Sequence, residues 1–386
     1  MAKNSSSSPS SPTVPDTAWL GRGRHLGAEP EQDVRRNLIA LKAAGVLDNF
    51  LDLDPVEAAR STVLHPRDES ADPGPSARRL FEARWRVADD VTVRAQLTTY
   101  EPEGRRKDAE GVLWVLAAEA EQSWDDRWPS PATMFWPDSD RVDWDHDTVA
   151  GLRLRAANQL PKDDDELRHL LRDCTRQSWY VHVVVHEAMT PDAQGQQPIT
   201  RFLPPGLRHR VIEHRATPEQ AQIADFALKR ELKLRMPRGG AVVLPTSPPL
   251  PGYEADRFTV RSVFLDGSEP FELLDRIREF AAFARPLPAE AEQALTRLRQ
   301  GWHLLTPDEE LVHAQTMVSR YAEALDAMTK SRDLYREAAD AAQAALAEAT
   351  GGDGVPRPPA SGPARTEGSP LNALTKAFGR RRGPGK

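Results

Sequence analysis

The stretch that decides the C-terminal third of this chain is residues 307–350, PDEELVHAQTMVSRYAEALDAMTKSRDLYREAADAAQAALAEAT. It opens with a proline and three acids after Thr306, which is the pattern of a capped helix N-terminus. No further proline or glycine interrupts it until the two glycines that follow, which end a helix. We therefore predict one long helix here, and a helical hairpin over residues 286–350 in which residues 288–305 form the other arm.

A seven-residue apolar repeat runs along the predicted long helix. The a positions are Leu311, Val318, Leu325, Arg332, Ala339 and Leu346, and the d positions are Ala314, Tyr321, Met328, Tyr335 and Ala342. A two-stranded coiled coil usually carries charges at its e and g positions, but here those positions are mostly small or apolar. So wide an apolar face is typical of a helix packed between two neighbours.

The length of this helix limits how far it can be covered by its own chain. A helix of about 44 residues is roughly 66 Å long, whereas a compact body of about 250 residues is about 45–50 Å across. We predict that the proximal half packs within the chain and that the half beyond Arg332 binds a protein partner or a second copy. The predicted binding residues of that distal half are Tyr335, Ala339, Ala342 and Leu346.

The middle of the chain, residues 31–285, mixes strand and helix patterns without regular alternation. Residues 91–100 alternate apolar and polar side chains, whereas residues 112–117 are continuously apolar. Thr217 and Gln220 form a capping box that opens a helix. This order favours an α+β body, a mixed or mainly antiparallel sheet with interspersed helices, over a doubly wound sheet.

Composition separates the termini from this body and excludes several classes of protein. The Ser/Pro-rich residues 1–30 are predicted to be disordered, and residues 351–386 to form a flexible linker with a basic tail.

A net charge of −7 argues against a chain that binds nucleic acid over its whole surface. The single cysteine, Cys174, excludes an intramolecular disulfide, and we expect no cysteine-based zinc site and no cofactor. Without a signal peptide or a membrane-length apolar run, we expect a cytoplasmic protein with no transmembrane segment.

Two histidines and three aspartates form the candidate metal site. On a predicted strand, His182 and His186 share a face because side chains alternate with a period of two. Asp143, Asp145 and Asp147 stand at alternate positions, which suits hard cations. Together they would make a metal-dependent hydrolase. The alternative, which we favour, is a structural strand beside a solvated acidic loop, since the H-E-x-x-H zinc signature has a threonine at its second histidine position.

The stretch from residue 201 to 238 is the best candidate for binding nucleic acid. Lys229, Arg230 and Lys233 share one arc of the predicted helix, and a positive stripe is enough for phosphate contacts. Cations near a helix C-terminus are also favoured by the helix dipole alone. No nucleotide loop, nucleophile elbow or plausible Cys/His nucleophile pair is found. Our leading hypothesis is a non-enzymatic accessory or scaffolding protein that acts through its helical arm, and a nucleic-acid-associated accessory factor is the main alternative.

Overall fold

The computed structural model describes residues 12–54, 77–88, 90–100, 111–137, 146–147, 152–153, 157–177, 179–186, 198–261, 263 and 270–349. The fold is α+β with a long C-terminal helix, which confirms the predicted fold class. The chain divides after Thr306 into two compact units, Met1–Thr306 and Pro307–Lys386.

The first unit contains strands and helices in irregular order. Its described strands are β1 (Ala18–His25), β2 (Leu47–Leu53), β3 (Ala77–Val87), β4 (Val91–Tyr100), β5 (Val112–Ala120), β6 (His146–Asp147), β7 (Leu152–Arg153), β8 (Asn158–Gln159), β9 (Val181–His186), β10 (Val211–Ala216), β11 (Ala241–Val243) and β12 (Thr259–Val260). Its helices are α1 (Pro30–Ala43), α2 (Ala132–Phe135), α3 (Asp164–Arg176), α4 (Pro218–Ala227), α5 (Phe271–Ala281) and α6 (Ala289–Gln300). Short 3-10 turns lie at Ile199–Arg201 and Pro205–Leu207, and a π-helical turn at Leu228–Leu232. The second unit contains α7 (Pro307–Ala349).

The first sheet has the strand order β2-β3-β4-β5-β1-β6-β7, and its neighbouring strands pair antiparallel. The alternation predicted for β4 is confirmed, since Val93, Ala95 and Leu97 lie in one apolar core with Trp85 and Trp114. Alternate side chains of a strand point to opposite faces, so one face of this sheet packs in that core.

Strand β1 overturns the predicted disorder of residues 1–30 over the range Ala18–His25. It lies inside the sheet between β5 and β6, and Trp19 is fully buried. Its glycines are needed there, because a Cβ atom at Gly21 or Gly23 would lie 2.6 Å from the ring of Trp19 or Trp114. The prediction was wrong because the apolar partners of this Gly/Arg-rich strand come from other parts of the chain. Residues 1–11 lie outside the described range.

The second sheet has the order β12-β11-β9-β10-β8 and is mixed. Both β8 and β9 run parallel to β10, whereas β11 is antiparallel to β9. On one face of β9, Val181 and Val183 pack with Ile277 of α5. On the other face, Val184 packs with Leu171 of α3 and with α4. The central strand of this sheet is therefore covered on both faces.

A buried carboxylate on β3 holds the segment that follows α6. Glu82 Oε2 accepts hydrogen bonds from the backbone N–H groups of His303 and Leu304, at 2.9 and 3.0 Å. Its Oε1 atom accepts from Gln96 Nε2 at 3.1 Å and lies 3.1 Å from His303 Nδ1. Buried polar atoms are stable only when they are hydrogen-bonded, and this carboxylate satisfies that condition through residues far apart in sequence.

Helices α6 and α7 differ in how their apolar residues are used. In α6, Ala294, Leu295 and Leu298 are buried with Val115 of β5. No side chain of α7 is buried between Pro307 and Ala349, where all but that of residue 313 are described. The apolar seam of α6 is thus used against the first sheet. Packing of the proximal half of α7 within the chain stays a prediction.

Candidate functional site

The exposed apolar face of α7 is the first candidate site. Within Pro307–Ala349, nine large apolar side chains are exposed, and seven of them stand at the a and d positions of the heptad repeat. These seven are between 58% and 77% exposed: Leu311, Val318, Tyr321, Leu325, Met328, Tyr335 and Leu346. The other two, Val312 and Leu334, lie outside the repeat. The exposed apolar residues thus follow one stripe rather than being scattered over the helix.

Charged residues occupy the opposite side of α7. From Val318 onward, the b, c and f positions carry Arg320, Glu323, Asp326, Lys330, Asp333, Glu337, Asp340 and Glu348. Lys330 Nζ lies 2.7 Å from Asp326 Oδ2, the i,i+4 geometry of a solvated helix face. Arg332 at an a position and Arg336 at an e position are the exceptions along Val318–Ala349. This arrangement is typical of a helix whose uncharged side packs on another helix.

The second candidate site is a buried cluster of Cys174, His182 and His214. Cys174 is in the last turn of α3, while His182 and His214 lie on the parallel strands β9 and β10. The register places His182 opposite Ile212 and His214 opposite Val184, so both imidazoles occupy the face covered by α3 and α4.

The three side chains of this cluster converge on one point. His182 Nδ1 lies 3.1 Å from His214 Nε2, and Cys174 Sγ lies 3.6 Å from the same nitrogen. One potential ligand atom from each residue lies within 4.8 Å of the other two, and all three residues are buried. The two imidazole rings are stacked, with centroids 5.4 Å apart.

Burial determines the protonation state of both histidines. It lowers the pKa of His214 to about 4, because the charged imidazolium would lose its hydration. It also lowers the pKa of His182 well below the ordinary value, and the positive charge of Arg285 acts in the same direction. Both rings are neutral at pH 7, and each offers a lone pair on one nitrogen. Among the described residues, neither His182 Nε2 nor His214 Nδ1 has a hydrogen-bond partner.

The structure groups His182 differently from our prediction. His186 lies four residues further along β9, which is about 13 Å from His182 at the rise per residue of a β-strand. The described residues that could share a metal ion with His182 are instead Cys174 and His214. Asp143 and Asp145 lie outside the described residues. Asp147 lies in β6 of the first sheet, and its side chain is likewise outside the described part. Convergence of the aspartates with the histidines therefore stays a prediction.

Sequence reasoning missed two members of this cluster, Cys174 and His214. A single cysteine excludes zinc sites with two or more thiolates, but it does not exclude a mixed set with two histidines. Cys174 and His214 stand 40 positions apart in the sequence and are brought together by the fold, so their spacing along the chain did not indicate the contact. The available signal was a lone cysteine on the apolar side of an amphipathic helix, three residues after the buried Leu171.

The predicted basic arc is exposed in the structure. Lys229 and Arg230 lie on the π-helical turn, and Lys233 ends it with a left-handed backbone conformation, φ 59°. Arg230 Nε is 3.9 Å from Glu231 Oε1, so part of this positive charge has a neighbouring acid. Nucleic-acid binding by these three residues stays a prediction.

None of the helices in the described part of the chain is both long and apolar enough to cross a membrane. No protein-family model, curated protein or solved structure matches this chain.

Proposed function

We propose that this protein is a non-enzymatic scaffolding protein that self-associates through α7. The observation that carries the proposal is the coincidence of the exposed apolar side chains with the a and d positions of a single heptad repeat. Apolar stripes of this kind are stable in water only when another surface covers them. Most charged side chains from Val318 onward stand on the opposite side of the helix, which supports a helix as the covering element.

The sequence of the stripe favours a second copy of α7 as that helix, in antiparallel orientation. In a parallel pair, each a position faces the same a position of the partner, so Arg332 would face a second Arg332. In an antiparallel pair centred between Leu325 and Met328, a positions face d positions instead. The resulting pairs are Leu325 with Met328, Val318 with Tyr335, Arg332 with Tyr321, Leu311 with Ala342, and Ala314 with Ala339.

This antiparallel register removes the repulsion between arginines and replaces it with a favourable contact. The guanidinium of Arg332 would lie over the ring of Tyr321, a cation–π geometry that contributes about 0.5–1 kcal/mol at exposed sites. Large side chains face small ones at the ends, as for Leu311 with Ala342. Few charges stand at e and g, so these positions contribute little to orientation, and the core pairs determine it.

Site-directed disulfide formation tests both the association and its direction. The variants Leu311→Cys and Ala342→Cys are made separately in the full chain, which has one native cysteine, the buried Cys174. In the antiparallel pair, a disulfide forms when the two variants are mixed, but not within either variant alone. Two Leu311 positions would then lie about 46 Å apart, from a rise of 1.5 Å per residue.

The same experiment identifies the results that exclude the proposal. Disulfide formation within each variant alone would indicate a parallel pair and refute the register. A strictly monomeric chain at every concentration, with no disulfide in the mixture, would refute self-association itself. The wild-type chain under the same oxidising conditions is the control for any contribution from Cys174.

A further inference from the structure

We propose that Cys174, His182 and His214 bind one transition-metal ion of the Zn²⁺ class, and that this ion fastens α3 to strands β9 and β10. Each of the three elements contributes one ligand atom: a sulfur from α3 and one imidazole nitrogen from each strand. This site is separate from the helix face of the proposed function, and it makes no use of the aspartates in the predicted hydrolase site.

Two of the three separations between the ligand atoms are close to those around a tetrahedral metal ion, and the third is within 4.8 Å. With Zn–N near 2.05 Å and Zn–S near 2.3 Å, tetrahedral angles place two nitrogens about 3.3 Å apart and a sulfur about 3.6 Å from a nitrogen. The structure has 3.1 Å between His182 Nδ1 and His214 Nε2, and 3.6 Å between Cys174 Sγ and His214 Nε2. These two distances to His214 Nε2 are compatible with coordination of one ion.

Proton counting gives a second reason for a cation at this point. Two neutral imidazoles carry one proton each, so protons on the remote nitrogens would leave two bare lone pairs facing each other at 3.1 Å. If one of the two facing nitrogens carries the proton instead, the remote nitrogen of the same ring has no proton. That remote nitrogen then has a lone pair with no hydrogen-bond partner among the described residues. A metal ion accepts all the converging lone pairs at once, and the thiol releases its proton to solvent.

The donor set and the burial select the class of metal. One thiolate and two imidazoles suit Zn²⁺ and copper, whereas Mg²⁺ and Ca²⁺ require oxygen ligands. All three ligands are buried, and Leu171, Val184 and Ala216 lie in the apolar core around them. Three protein ligands leave the fourth tetrahedral position unfilled by these side chains. We infer a structural role because all three ligands are buried and join one helix to two strands.

Cobalt substitution tests the site directly. The full chain is unfolded under reducing conditions and refolded with one equivalent of Co²⁺, so that the buried ligands are accessible during loading. Thiolate-to-cobalt charge transfer absorbs in the near ultraviolet, and Cys174 is the one cysteine of the sequence. We expect this band in the wild type, its loss when Zn²⁺ is added, and its absence in Cys174→Ser.

Histidine variants and thermal unfolding complete the test. We expect His182→Gln and His214→Gln to weaken Co²⁺ binding at least tenfold, whereas His186→Gln, a buried histidine on the same strand, binds as the wild type does. At a metal concentration 100 times Kd, the wild-type Tm should rise by about 5 °C or more. The absence of a thiolate–cobalt band in correctly refolded wild type overturns the proposal, as does an equal loss of binding in His186→Gln. The wild-type result does not depend on whether any variant folds.

Discussion

The substitution Leu325→Ala is the sharpest perturbation of the proposed self-association. Leu325 stands at an a position near the centre of the antiparallel pair, opposite Met328 of the second copy. Its side chain is 60% exposed in the single chain, so its loss removes little packing within α7 itself. The change also keeps a good helix-forming residue at the position. Its effect should therefore appear in association rather than in folding.

The magnitude follows from the exposed fraction. Full burial of a leucine side chain contributes about 2.5 kcal/mol, so covering the exposed 60% contributes about 1.5 kcal/mol per chain. A dimer contains two such side chains, which gives about 3 kcal/mol in total. Since each 1.4 kcal/mol corresponds to a factor of ten, the Kd of the dimer should rise about 100-fold.

Sedimentation equilibrium over a range of protein concentrations measures this change. The matched control is Leu334→Ala, because Leu334 is 66% exposed in the same helix but stands at a c position, outside the stripe. The two variants lose the same atoms from the same element, and they differ in whether the side chain faces the partner. We expect Leu334→Ala to keep its Kd within about threefold of the wild type, as surface substitutions commonly do.

Equal weakening by the two variants would refute the assignment of the stripe, because the heptad position would then have no influence. An unchanged Kd in Leu325→Ala would refute the central contact with Met328. Circular dichroism of both variants checks that helix content is retained, so that a change in association is not confused with a loss of α7.

Two further predictions concern the first unit and can be measured by urea unfolding. Glu82→Gln places an amide N–H₂ group where a carboxylate oxygen now accepts, and it leaves buried donors of His303, Leu304 or Gln96 unsatisfied. We expect a loss of about 2–3 kcal/mol, and an unchanged stability would exclude the anchoring role. For His25, burial lowers the pKa below 6.5 even though Asp33 raises it in part. The unfolded chain therefore binds this proton more readily, and the stabilisation present above pH 6.5 is lost as the pH falls, by up to about 1.4 kcal/mol per pH unit. His25→Phe should show a smaller loss of stability between pH 7 and pH 5 than the wild type, and an identical loss would contradict this reasoning.

Local patterns in the sequence predicted the elements that are stabilised by interactions between residues close together in the chain. The bounds of α7 followed from its N-terminal proline and acids and from the glycines after it. The capping box of α4 followed in the same way, with Gln220 N donating to Thr217 Oγ1 at 3.3 Å and Thr217 N donating to Gln220 Oε1 at 3.2 Å. The alternation of β4 identified its apolar face because the period of a strand is local. The heptad stripe could likewise be read directly, since it depends on the helix alone.

Only the tertiary structure decided which elements meet. The place of β1 inside the first sheet depends on the indole of Trp114, supplied by a strand about 90 residues later in the chain. The same is true of the convergence of His214 with Cys174 and His182, which are 40 and 32 residues away. Spacing in sequence suggested His182 with His186, because a strand places both on one face. Parallel pairing of β9 with β10, and the position of α3 over them, instead bring together atoms from three separate elements.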